Sequence, residues 1–168
     1  NGIIELPSGE VGQKFADWLA INRPGLVDPV IDIKITPNRP DALGVRGVAR
    51  DLAARGLGVL KPLEVPAIKG GFASPVQVEI HPDFKAKGCP HCAGRTIRGV
   101  KNGASPDWLQ NRLKAIGLRP ISALVDITNY FTFGLNRPLH VFDVAKVQGK
   151  LRIQAAAGGE DLLALDGK

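Results

Sequence analysis

The sequence predicts an α+β fold in two small mixed lobes. Three observations carry that expectation. Residues 30–36 and 76–80 alternate apolar with polar side chains, which is the period of half-buried strands. Residues 42–55, 105–117 and 122–134 repeat apolar residues at helical spacing and end at glycines or begin at capping residues. Residues 61–71 hold Pro62, Pro66, Gly70 and Gly71, a composition suited to a boundary, so the lobes are expected at 1–66 and 67–168.

Composition narrows the function classes. The 168 residues are 44% hydrophobic, enough to bury a core. No apolar run reaches the roughly 18 residues that a membrane span needs. Two cysteines are too few for a disulfide framework, so a reducing cytoplasm is the expected compartment. The net charge of +6 is unevenly spread. Between positions 85 and 119, eight basic residues (Lys85, Lys87, Arg95, Arg98, Lys101, Arg112, Lys114 and Arg119) face one acid, Asp107. Such a segment suits a phosphate backbone, and Arg95, Arg98 and Lys101 are the candidate RNA contacts. A solvated face balanced by acids from elsewhere is the plainer reading.

The first lobe opens with a short apolar run, residues 3–6, expected as a strand ended by Pro7. Val11, Phe15, Trp18 and Leu19 fall at helical spacing, so residues 12–20 are expected as a helix with that face buried. Asn22-Arg23-Pro24-Gly25 is a turn. Ile31, Ile33 and Ile35 would form the buried face of a strand over 30–36. The loop Thr36-Pro37-Asn38-Arg39-Pro40-Asp41 is rigid, because each proline fixes φ and removes a donor. Arg39 is a candidate for a phosphate or a partner carboxylate. The favoured reading is that it ties its own loop down through backbone carbonyls. The following helix would bury Val45, Val48, Ala49 and Leu52, with Gly44 and Gly47 permitting close approach and Gly56 as its stop.

In the second lobe, residues 76–80 and 93–100 read as strands. Between them, Cys89-Pro90-His91-Cys92 has the spacing of a thiol redox motif or of half a zinc site. A redox motif needs a strand before and a helix after it, and a strand follows here. A zinc site needs a second ligand pair, and only His81 and His140 remain, so no metal is expected. Ser105-Pro106-Asp107 is a strong helix start, with Ser at the N-cap and Pro at the first helical position. Trp108, Leu109, Leu113 and Ile116 form that helix's apolar face, and Gly117 ends it. Ser122 would cap the next helix, residues 123–133, with Gly134 as its stop; Leu124, Val125, Thr128, Phe131 and Leu135 would pack inward. Asp126 and Asn129 share a face of this helix. Asp126 is expected to clamp the backbone near Arg119 rather than act as a general base. Residues 151–154 and 162–165 read as short strands joined by a turn at Gly158-Gly159-Glu160. Asp166-Gly167 is a hairpin signal with no return strand after it, so the sequence reads as a piece of a longer chain.

The stretch 119–143 gathers the polar groups with chemistry: Arg119 on a proline turn, Asn129 on a helix, and His140 on a second proline loop. Its motifs are Arg119-Pro120-Ile121, Val125-Asp126-Ile127-Thr128-Asn129-Tyr130 and Pro138-Leu139-His140-Val141-Phe142-Asp143. Upstream stands Asp32-Ile33-Lys34-Ile35-Thr36-Pro37-Asn38-Arg39-Pro40-Asp41-Ala42-Leu43-Gly44-Val45. Together these resemble the bacterial phenylalanine–tRNA ligase β subunit, and the resemblance covers essentially the whole chain.

That resemblance implies the remainder of a small N-terminal domain over 1–66 and the first half of a tRNA-editing domain over 67–168. It implies hydrolysis of tyrosine wrongly attached to phenylalanine tRNA. His140 would contact the aminoacyl group or orient the water, Arg119 would hold the RNA 3′ end or the pocket wall, and Asn129 and Pro138 would line the pocket. It further implies an α subunit in an α2β2 assembly, with ATP and Mg2+ used by the parent enzyme and no cofactor in this segment. The family's remaining pocket residues would follow Lys168. Cys92 would fill an aromatic position as a small buried residue. One departure stands out, over residues 131–137. The family's Glu-Leu-Gly-Gln before the proline is here Phe133-Gly134-Leu135-Asn136-Arg137, and Arg137 places a bulky charge near the pocket rim. A non-catalytic RNA-binding or scaffold module is the alternative function.

Overall fold

The computed structural model describes residues 3–161. It is a mixed α and β chain: five α-helices and a two-stranded parallel sheet among the described residues. The chain divides into two compact units, residues 1–64 with 101–141 and residues 65–100 with 142–168.

In the first unit, α1 (Phe15–Asn22) buries Trp18, on which Phe15 stacks at 6.0 Å, and the Asn22 side chain donates to the Trp18 carbonyl. The helix starts three residues later than its apolar spacing suggests, and Val11 stays in solvent. Residues 3–6 and 30–36 do not form strands. Alternation marks one face as apolar, but a strand also needs a neighbour to satisfy its amides. Pro40–Ala42 makes a single 3-10 turn into α2 (Val45–Ala54), which ends at Gly56 with φ +85°. Its packed side is the small one. Gly47 is buried because a Cβ there would meet the Asp41 carbonyl and the Ala42 Cα, while Val45 and Leu52 are largely exposed.

Arg39 holds its loop down, but through carboxylates rather than carbonyls. Its guanidinium donates to both oxygens of Asp41 at 3.0 Å and to Asp51 of α2 at 2.6 Å, and Arg50 bonds the same two acids. Two acids, Asp41 two positions on and Asp51 on α2, outcompete neutral acceptors, because charge-assisted bonds are roughly twice as strong.

The rest of this unit is a helical pair. α4 (Asp107–Ala115) buries Leu109 and Leu113 and leaves Trp108 half exposed, edge-on to Tyr130 at 5.6 Å. α5 (Ala123–Leu135) packs against α4. Ser122 stands at its N-cap without a side-chain bond; Ala123 N–H donates to the Gly103 carbonyl and Leu124 N–H to Asn102 Oδ1. The helix runs through Gly134 and stops at Asn136, which adopts the left-handed conformation (φ 51°, ψ 43°).

In the second unit, β1 (Val78–Ile80) pairs in parallel with β2 (Leu151–Ile153), Val78 opposite Leu151 and Ile80 opposite Ile153. Glu79 bonds Lys150, which lowers its carboxyl below the usual range. One turn of helix, α3 (Pro82–Lys85), follows β1. Residues 93–100 are not a strand. Gly158 and Gly159 both have positive φ, and Ala157 N–H donates to Glu160 across the bend they make. The strand and hairpin expected over 162–168 lie outside the described residues. No helix among the described residues is long and apolar enough to cross a membrane.

The Arg39 network has a defined pH dependence. Hydrogen bonds from Arg39 above all, then the nearby Arg50, hold Asp41 at about 2, against an ordinary 3.8. A depressed carboxyl contributes stability above its unfolded value and loses it as pH falls. Asp41→Asn is therefore expected to flatten the loss of stability between pH 4 and 2, read from urea unfolding across that range. All four side chains are partly exposed, so added salt is expected to shrink the difference.

Candidate functional site

Residues 119–141 belong to the first unit, and α5 organises them. Gly117, with φ +81°, ends the α4 segment and turns the chain toward Arg119. Arg119 itself is exposed and Pro120 half-buried. The turn is fixed from below by Asp126, which has no accessible surface. One carboxylate oxygen accepts the Ile121 N–H at 2.9 Å, and the other accepts the Ser105 hydroxyl. Asp126 is thus the expected clamp on the backbone beside Arg119. Ser105 is not the helix cap its sequence suggests: Pro106 holds that position, and no side chain caps the helix. The hydroxyl goes to a buried carboxylate instead, which is the stronger acceptor.

Asn129 lies one turn beyond Asp126 on the same side of α5 and is half-buried. Thr128 and Thr132 donate their hydroxyls to the carbonyls of Val125 and Thr128, so α5 satisfies these polar groups internally. Phe131 lies more open than an inward-packing residue would. After Asn136 the chain runs through Arg137, Pro138 and Leu139 to His140, all exposed. Arg119 therefore lies by the N-terminal end of α5, Asn129 at its middle, and Pro138 and His140 beyond its C-terminal end. A 13-residue helix is about 20 Å long.

The basic candidates fall in different units, Arg95 and Arg98 in the second and Lys101 in the first. Arg95 donates to the Ile68 carbonyl at 3.0 Å, and the Arg98 guanidinium sits 4.0 Å from the Phe72 ring centre. Lys101 is exposed. Cys89 and Cys92 are free thiols; Cys92 is exposed rather than buried, because no strand forms there to turn it inward. Among the described residues no three His, Cys, Asp or Glu side chains are placed to hold a metal. An open cleft of about 380 Å³ in the second unit is lined by His81, Asp83, Phe84, Lys87, Gln154 and Ala155, none of them a candidate for the aminoacyl or RNA contacts.

Three positions escaped the sequence reading. Arg50 and Asp51 could not be paired with residues 39–41 by spacing, because a helix start intervenes. Asn136 did leave a signal: Asn is the commonest non-glycine residue in a left-handed stop, and Pro138 follows two positions later. Gly134 was the more obvious stop.

Comparison with known proteins places this arrangement. Residues 88–168, which include the whole of α5 and the histidine loop, match the family model of the B3/4 domain. Over its full length the chain is 69% identical to the phenylalanine–tRNA ligase beta subunit of Cereibacter sphaeroides, 65% to that of Ruegeria pomeroyi and 56% to that of Rhodopseudomonas palustris. It therefore belongs to the phenylalanine–tRNA ligase β-subunit family. It spans only 20–21% of the length of these relatives.

Asp126→Ala is expected to cost about 2 kcal/mol, since it strands the buried Ser105 hydroxyl and a part-buried Ile121 N–H. Ser105→Ala should cost about 2 kcal/mol, because it leaves one oxygen of the buried Asp126 without its donor. The double variant should fall short of the sum, because the two groups share one bond. Urea midpoints at constant slope measure all three.

Proposed function

We propose that this chain is part of a phenylalanine–tRNA ligase β subunit and contributes to the hydrolytic proofreading of tyrosine misattached to phenylalanine tRNA. The observation that carries the reading is the full-length match to β subunits, together with a histidine loop leaving a fixed helix end. Proofreading answers a physical need. An apolar pocket shaped for phenylalanine rejects an isostere with one added hydroxyl only weakly, so a second, hydrolytic sieve is required.

In this proposal water attacks the aminoacyl ester carbonyl, the 3′-oxygen of the RNA leaves, and free tyrosine and intact tRNA result. The protein must orient the water and stabilise the developing oxyanion. His140, exposed on its loop, orients the water or the aminoacyl group. Arg119, on a turn held by Asp126, supplies a fixed positive charge for the RNA 3′ end or the pocket wall. Asn129 and Pro138 line the pocket. Arg95, Arg98 and Lys101 are proposed RNA contacts; Arg95 and Arg98 each already hold one partner in their own unit, which orients them but leaves further N–H donors free. The α subunit in an α2β2 assembly, ATP and Mg2+ acting there, and a cytoplasmic location complete the proposal.

The test replaces the matching segment of the Cereibacter sphaeroides β subunit with this chain, in the assembled ligase. His140→Ala is expected to slow hydrolysis of tyrosyl-tRNA about 100-fold, while phenylalanine attachment stays unchanged. Equal hydrolysis by both proteins would leave a non-catalytic scaffold as the better reading.

A further inference from the structure

We propose that Asn136, gripping the backbone at Pro40, is a positioning residue for the loop that presents Pro138 and His140. The inference rests on the proofreading reading above. Its evidence is the way α5 ends. Asn136 is the one non-glycine residue with positive φ among the described residues. A simple helix stop at such a position favours glycine, which adopts it without steric cost. Here the side chain does more than stop a helix, for its Nδ2 donates to the Pro40 carbonyl, 96 positions away in sequence.

The partner segment is shaped for this contact. A Cβ at Gly44 would stand 2.6 Å from the Asn136 amide nitrogen and 3.0 Å from both the Asn136 Cβ and the Phe133 carbonyl. Only a glycine lets residues 40–44 approach the helix end so closely. The acceptor is also held still. Arg39 and Asp41, on either side of Pro40, bond each other at 3.0 Å, and Arg39 bonds Asp51 of α2. The proline itself fixes its φ. Asn136 is thus docked on a braced carbonyl.

The consequence falls on His140. It stands four positions beyond the latch, with Arg137, Pro138 and Leu139 between, and four extended steps span about 14 Å. The direction in which the chain leaves Asn136 therefore governs where the imidazole can stand. Displacement of a reacting group by about 1 Å costs about 100-fold in rate. The latch need not touch substrate to matter for turnover.

Asn136→Gly tests the latch, since glycine keeps the left-handed turn and loses the bond to Pro40 together with the Cβ packed against Gly44. In the grafted ligase this variant is expected to lower kcat for tyrosyl-tRNA hydrolysis about tenfold, with KM and phenylalanine attachment within twofold of the parent. Gly44→Ala, which pushes the segment off the helix end, should do the same. On a His140→Ala background Asn136→Gly should add less than about twofold, because it acts mainly through that histidine and only secondarily through Pro138. Unchanged kcat in both Asn136→Gly and Gly44→Ala, beside a strongly impaired His140→Ala, overturns the latch and leaves the proofreading reading standing. An unimpaired His140→Ala overturns the proofreading reading, and the latch falls with it. Parallel loss of hydrolysis and phenylalanine attachment would mean a merely structural role and also overturn it.

Discussion

A single buried carboxylate carries the organisation of the first unit. Asp126 has no accessible surface and lies in the first turn of α5. A charged group so placed is tolerated only if its oxygens are satisfied. One oxygen takes the Ile121 amide and fixes the turn entering α5; the other takes the Ser105 hydroxyl and fixes the segment entering α4. The chain before α4, the turn after it and α5 itself thus meet at one point. The apolar contacts of Leu109 and Leu113 then complete a helical pair whose register that point sets.

The two ends of α5 are held by different physics. At its start the Ala123 and Leu124 amides are met by Gly103 and Asn102, and the Asp126 clamp holds the turn just before the helix. At its end a left-handed asparagine reaches into a loop braced by two arginines and two aspartates. The N-terminal loop is therefore part of the support for the histidine segment, although 96 positions separate the bonded residues. This joins the two long motifs of the sequence in one set of contacts: the Pro37–Pro40 loop steadies the helix whose ends carry Arg119 and His140.

Much of the helical content was legible in the residues. The helices around Trp18, Leu109 and Val125 and the stops at Gly56 and Gly117 depend on neighbours within a turn or two, and they form, although α1 starts three residues late and leaves Val11 and Phe15 exposed. Strands fared differently. Residues 76–80 and 151–154 do yield β1 and β2, yet 30–36, with equally good alternation, and 93–100, also read as a strand, form none. Alternation states which face would be buried but not whether a partner arrives. Arg39 shows the same limit: its immobilising role was legible, its acceptors were not. The candidate site was legible as a motif, and its position along α5 follows from local chain order.

What the sequence determined by itself is local: helix stops, rigid proline turns, and a family signature written in ordered motifs. What only the tertiary structure decided is the choice of partner: Ser105 for Asp126 instead of its own helix end, Arg39 for Asp51, Asn136 for Pro40. The reason is that a donor takes the strongest acceptor within about 3 Å, and which acceptor comes that close depends on how distant segments pack.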